Sequence, residues 1–303
     1  MKEHIPTPRR TGEYVNIYRP SADIYRGIKT DSFVPNEKYE NWICNDFSVL
    51  YDNGEWHIVG ITHPKPSGFT NAFDYDSKNI HEAEYQLFHC RASAERFSEL
   101  MYPESFTDCE KLLYPADRPG ERPEIWAPHL MKRDGRFEVI YSPGSMRSAS
   151  TEDFVNFSRR VLFECDFAFA RDPYIFGEDG SYYFIYCDRK GLSMRVSRDM
   201  ENWSEPEPLM RELFPNASTE SPFLMKRGEY YYLLWCIYDG RNGSYDNRTF
   251  VYAAKSIREL GKYAPIAMLD AHAPEIVFDG EDYYLLSVFY PENGVSAAKL
   301  EFI

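Results

Sequence analysis

Residues 172–187 read DPYIFGEDGSYYFIYC. A short apolar run meets a polar turn ending in Gly180, and an aromatic-rich run follows. This is the pattern of a β-hairpin, where glycine supplies the positive φ that a tight turn between twisted strands demands. Counting eight residues back from Gly180 reaches Asp172, and the same count finds four more copies. Gly54 leads to Asp46 in DFSVLYDNGEWHIVGIT, and Gly135 to Ala127 in APHLMKRDGRFEVIYS. Gly228 leads to Glu220 in ESPFLMKRGEYYYLLWC, and Gly280 to His272 in HAPEIVFDGEDYYLLSVFY.

A third strand-like run follows each hairpin: YQLFHCRAS, SMRSAS, LSMRVS, FVYAAKS and GVSAAKL. After the first four come one or two acids and a bulky apolar residue, in AERF, TEDF, RDMENW and IREL. The copies begin at 46, 127, 172, 220 and 272, at spacings of 81, 45, 48 and 52 residues. Apart from the first, that is the period of a four-stranded propeller blade. Connecting segments such as FSRRVLFEC at 157–165 would supply the fourth strands, and residues 1–45 would complete a blade around the C-terminus. The expectation is an all-β, five-bladed β-propeller forming one domain over residues 1–303. A two-sheet sandwich is the alternative, and five in-register copies argue against it.

The first copy carries an insertion at about 62–116, with the Gly/Pro/Ser/Asn-rich HPKPSGFTNAFDYDSKN and a short helix expected at Ala94–Leu100. A smaller insertion, YDGRNGSYDNRT, lies in the fourth copy. Insertions in repeat folds fall in loops on the binding face. Two long loops there would close one end of a cleft into a pocket and favour attack at chain ends.

With 34 Lys and Arg against 48 Asp and Glu, the net charge is −14. Phosphate backbones and anionic membranes are therefore poor partners. The longest obvious apolar run, YYYLLWCIY at 230–238, is far short of the roughly 18 residues of a membrane helix. No apolar leader is visible in MKEHIPTPRRTGEY, which leads us to expect a cytoplasmic protein, or a secreted or periplasmic one if a leader was trimmed. The six cysteines form no C-x-x-C pair and no zinc spacing with histidine, so they read as buried thiols.

Equivalent positions of successive blades form a ring around the propeller axis. By the glycine count these are Asp46, Ala127, Asp172, Glu220 and His272, which brings three carboxylates together from three blades. Like charges in one cleft cannot all ionise comfortably, so at least one pKa should rise. Cleavage of a glycosidic bond uses such a set: one carboxylic acid protonates the leaving oxygen, and a carboxylate stands opposite. Arg171 is placed to keep Asp172 ionised and to bind substrate, or else turns to solvent. His129, two residues beyond Ala127, shares its side of the strand and reaches the cleft if it does not pack in the core. Trp126 is a sugar-stacking platform or a core residue, and Asn45 a hydroxyl partner or a turn residue. Trp203 and Trp235 read as core.

These residues resemble two families of five-bladed propeller enzymes, glycoside hydrolase families 43 and 32. The resemblance covers about residues 40–303. Similarity to family 32 lies in Trp42-Ile43-Cys44-Asn45-Asp46, Arg171-Asp172-Pro173 and Glu220 of ESP. The NDPNG run of that family is absent, ESP replaces its glutamate–cysteine pair, and no segment follows for its C-terminal sandwich. Similarity to family 43 lies in Trp126-Ala127-Pro128, in His272 and in a single-propeller length.

Family 43 implies an inverting hydrolase with Asp46 as general base, Glu220 as general acid and Asp172 tuning Glu220. Family 32 implies a retaining one with Asp46 as nucleophile. The first is favoured, acting on a terminal arabinofuranoside or xyloside, with no cofactor required. His272 resembles a histidine found near a channel ion, calcium or another, in some family 43 members; a core histidine bonded to backbone is the other reading. The rivals are a β-fructofuranosidase and a non-catalytic carbohydrate-binding propeller. Transfer to phosphate would need more basic residues than Arg171, Arg147 and Arg241.

Overall fold

The computed structural model describes residues 4–65, 84–189, 191–211, 218–238, 247–289 and 294–303. The chain opens with β1 (Pro8–Arg10) and β2 (Val15–Tyr18), then the small hairpin β3 (Asp23–Ile24) and β4 (Lys38–Tyr39). Blade 1 holds β5 (Trp42–Asp52), β6 (Glu55–Pro64), β7 (Gln86–Ser93) and β8 (Thr107–Asp108). Blade 2 holds β9 (Trp126–Arg133), β10 (Arg136–Ser142), β11 (Met146–Thr151) and β12 (Ser158–Phe163). Blade 3 is β13 (Arg171–Glu178), β14 (Ser181–Asp188), β15 (Gly191–Ser197) and β16 (Glu207–Arg211). Blade 4 is β17 (Ser218–Arg227), β18 (Tyr230–Tyr238), β19 (Arg248–Ala254) and β20 (Ala267–Asp270).

Blade 5 joins the chain's two ends. β21 (His272–Phe278), β22 (Tyr283–Val288) and β23 (Val295–Phe302) pair in order, and β1 adds antiparallel to β23 with Pro8 opposite Phe302. β2 pairs with the other end of β23. The architecture is a five-bladed β-propeller.

Side-chain alternation explains why the blades stack. Along β18, Leu233, Trp235 and Ile237 pack against blade 3, while Tyr232 and Leu234 pack against blade 5. One apolar cluster fills each of the five gaps, from Phe47 and Val277 between blades 1 and 5 round to Leu285 and Val251 between blades 5 and 4. Trp235 lies fully in this core, while Trp203 is half-buried against Phe184. Four of the cysteines are buried; Cys109 and Cys165 are half-buried, and all six are free.

The serine- or threonine-then-acid signal after the third run is a corner. The Thr151 hydroxyl accepts from the backbone N–H of Asp153 and Phe154, and Asp153 accepts from Val155 and Asn156. Ser197 and Asp199 repeat it one blade later. In blades 1 and 4 the corner is a short 3-10 helix instead, Phe97–Leu100 and Ile257–Lys262, so the helix expected from Ala94 begins three residues later. Residues 66–83 of the first insertion and 239–246 of the second, with Arg241, lie outside the described residues.

Candidate active site

Each inner strand is bulged near its start. The ladder slips by one between Asn45 and Phe47, Trp126 and His129, Arg171 and Tyr174, Glu220 and Phe223, and His272 and Glu275. Ala127, Asp172, Ser221 and Ala273 occupy these irregularities with φ of 36°, 58°, 49° and 49°. Each precedes a proline, Pro128, Pro173, Pro222 or Pro274, which has no N–H for the interrupted ladder. Left-handed backbone at non-glycine residues costs roughly 1–3 kcal/mol each and concentrates at functional sites. A bulge also breaks the in-out alternation, so neighbouring residues face the same way.

This geometry corrects the ring derived from glycine spacing. Asp46, Ala127 and Asp172 share a frame, but its fourth and fifth members are Ser221 and Ala273. Glu220 and His272 belong one residue earlier, with Trp126 and Arg171. The cause is turn chemistry. In blades 1 to 3, glycine is the second residue of a two-residue turn, as in Asp179-Gly180 between Glu178 and Ser181. In blade 4, Gly228 is the first, between Arg227 and Tyr230, where a type II′ turn places glycine. In blade 5 the turn has four residues, between Phe278 and Tyr283, and the strand from bulge to turn is one residue shorter.

The three carboxylates nevertheless meet. The Ser221 hydroxyl donates to Asp46 Oδ1 at 2.5 Å, and the Ser221 N–H donates to Asp172 Oδ2 at 3.1 Å. Arg171 Nη2 lies 3.1 Å from Glu220 Oε1, and its Nε lies 3.6 Å from Asp172 Oδ2. The Asp172 side chain is 4% exposed, against 15% for Glu220 and 20% for Arg171, so the last two form the open part of the site.

Burial decides the ionisation of all three acids. Desolvation pushes the Asp46 carboxyl up, and the nearby Glu220 charge adds to this; His272, the Ser221 hydroxyl and Arg171 pull the other way without prevailing. Glu220 is also raised by burial, against the pull of Arg171. Asp172 rises from its ordinary value of 3.8 to about 6, through burial and the Asp46 charge. Arg171 does pull Asp172 down, as its adjacency in sequence suggests, but burial outweighs it; its nearer partner is Glu220.

The other expected site residues divide. Trp126 is half-buried beside the exposed Phe169, ring centroids 6.4 Å apart and planes within 18°, and the guanidinium of Arg122 lies over Phe169. Arg147 points to the Glu121 carboxylate and the Ser145 hydroxyl. His129 and Asn45 are both buried. His129 is buried, its ring 4.5 Å from Tyr174, and desolvation lowers its pKa to about 4. It lines a cavity of about 20 Å³ on the axis with Asp46, Asp172, Ser221, Tyr174 and Glu275. That is room for one water, not for a sugar. Asn45 is buried and its amide donates to Glu84 at 3.3 Å. Neither is an exposed sugar contact; strand alternation places His129 on the axis but does not say how deep.

Three residues escaped the sequence reading. Ser221 was hidden by the one-residue slip. Glu275 is a buried axial acid that desolvation holds well above the usual carboxylate range. Cys236, concealed in the apolar run of β18, lies opposite Glu220 in the β17–β18 ladder. A ligand-type atom from each of Glu220, Cys236 and His272 lies within 4.8 Å of the other two. The His272 side chain is fully buried, and its backbone N–H donates to the Ser287 hydroxyl. This set does not suit calcium, which takes six to eight oxygens.

No family model and no curated protein matches this sequence. Solved structures share its fold. One is a thermostable family-43 glycoside hydrolase, 13% identical, with a TM-score of 0.62 over 86% of this chain and 89% of that one. A second is the catalytic domain of a family-62 α-L-arabinofuranosidase from Coprinopsis cinerea, 14% identical, TM-score 0.57, covering 93% and 97%. A third is a family-32 β-fructofuranosidase from Bombyx mori, 16% identical, TM-score 0.58, covering 94% of this chain and 62% of that one. At these identities the likeness is one of fold.

Proposed function

We propose that this protein is a glycoside hydrolase that cleaves a terminal furanoside or pentoside, of the arabinofuranosidase or xylosidase kind, with inversion. The observation that carries the reading is the convergence of Asp46, Asp172 and Glu220 from blades 1, 3 and 4 on Ser221 and Arg171. The known glycosidases that share the fold support it.

In this reading Glu220 protonates the leaving oxygen. Burial favours its neutral form, as a general acid near neutral pH requires. Asp46 takes a proton from the attacking water, and the Ser221 hydroxyl steadies its ionised form. Asp172 and Arg171 fix the position and charge of Glu220. Trp126 offers its face to the apolar side of a sugar ring. No group beyond these side chains is required.

The test is a substrate panel: nitrophenyl α-L-arabinofuranoside, nitrophenyl β-D-xyloside, sucrose and a short fructan. Turnover of either pentoside, lost in Asp46→Asn, with Glu220→Gln losing far more on an unactivated alkyl pentoside than on the nitrophenyl one, supports the reading. Turnover of sucrose or fructan alone would replace it with a fructofuranosidase. Sugar binding without turnover of any substrate would leave a carbohydrate-binding propeller.

A further inference from the structure

We propose that Glu220, Cys236 and His272 form an inhibitory site for a thiophilic divalent cation, zinc being the type, which removes Glu220 from use as the acid. The proposal rests on the role of Glu220 given above for its inhibitory half; the binding half stands on geometry alone.

The donor set makes the choice of cation. A carboxylate oxygen, a cysteine sulfur and an imidazole nitrogen within 4.8 Å of one another suit zinc, which takes four ligands at about 2.0–2.3 Å. Three protein ligands leave one position for water. Hard cations gain little from sulfur or imidazole, so calcium and magnesium are poorly matched.

The scaffold holds the three donors in register. Glu220 and Cys236 are paired residues of adjacent strands, and His272 opens the inner strand of the next blade. Arg171 engages Glu220 Oε1, and a carboxylate has a second oxygen to offer. The surroundings favour a cation: three carboxylates face one guanidinium. Binding forms Zn–S, Zn–O and Zn–N bonds and releases to solvent the thiol proton, and the Glu220 proton where present. No electron is transferred. The thiolate, not the thiol, is the ligand, so the cation competes with a proton and binding strengthens as pH rises.

The test is a titration of the full chain, stripped of metal by a chelator that is then removed. Cobalt(II) is the probe, because a bound thiolate gives it a near-ultraviolet charge-transfer band. We expect one cobalt per chain, the thiolate band, displacement by one equivalent of zinc and none by excess calcium. Cys236→Ser should abolish the band and weaken binding by more than the roughly 10–100-fold that loss of a supporting contact costs. If its melting curve shows that Cys236→Ser does not fold, Cys236→Ala and His272→Gln take its place. Cobalt bound without the thiolate band, unchanged affinity in a folded variant, or displacement by calcium would overturn the site. In the activity arm, zinc should stop pentoside turnover, chelator should restore it, and the Cys236 variant should resist. Zinc bound with turnover unimpaired would overturn the inhibitory role. Because cobalt binding is read without substrate, a protein that turned over no glycoside would refute the hydrolase reading without touching the cation site.

Discussion

The Ser221 hydroxyl donates to Asp46 Oδ1 at 2.5 Å across 175 residues of sequence, tying blade 4 to blade 1 at the propeller axis. The same residue's backbone N–H holds Asp172 of blade 3. A hydrogen bond to a charged group contributes about 1.5–3 kcal/mol, roughly 10- to 100-fold in an equilibrium or a rate. Ser221→Ala should therefore lower kcat/KM by about that factor and move the acidic limb of the pH–rate profile upward, because ionised Asp46 loses a donor. A profile superimposable on the parent's would separate Ser221 from the chemistry.

Glu220→Gln keeps the size of the side chain and removes its proton. Loss of a general acid costs typically 10²–10⁴-fold. The expected result is a fall in kcat of about that size on an ordinary glycoside, with an unchanged melting temperature or a higher one. A much smaller loss on a substrate whose leaving group needs no protonation would complete the assignment. Equal losses on both substrates would assign Glu220 to binding.

How far the site was legible in sequence depends on individual turns. Asp46 and Asp172 emerged in their true frame because Asn53-Gly54 and Asp179-Gly180 are turns of one kind. Gly228 and the four-residue turn before Tyr283 are of other kinds, so Glu220 and His272 were read one residue out of frame. Glu220 survived the error because a bulge turns two consecutive side chains inward. Ser221 did not, because a serine beside a glutamate carries no signal of its own. Cys236 was invisible for a different reason: opposite whom a strand residue lies is a fact of pairing, not of the strand. The blades were legible throughout, since hairpin and corner signals are local.

Asp172 makes stability depend on pH. Its carboxyl titrates at about 6 when folded against an ordinary 3.8, so the folded state binds its proton more tightly. Its contribution to stability is gained as pH falls from about 6 toward 4, and is lost above 6. Thermal melts from pH 4 to 7 should show this slope flattened in Asp172→Asn relative to the parent. An equal slope in both would mean that Asp172 titrates normally.

The seam of the propeller gives a prediction about its fold. Pro8–Arg10 complete blade 5 on β23, and the Tyr232 hydroxyl donates to the carbonyl of Pro6 at 2.8 Å. Deleting residues 1–10 exposes the edge of β23 and should lower the melting temperature and promote self-association through that edge. A deletion that melted like the parent and stayed monodisperse would show that β2 alone suffices to close the ring.

The central claim is that Asp46 activates water while Glu220 protonates the leaving group. Proton NMR of the first sugar released from an arabinofuranoside or xyloside, read before mutarotation, tests it most directly. The account predicts the inverted anomer in the parent and no release in Asp46→Asn. The retained anomer would contradict it, making Asp46 a nucleophile that forms a bond to the sugar.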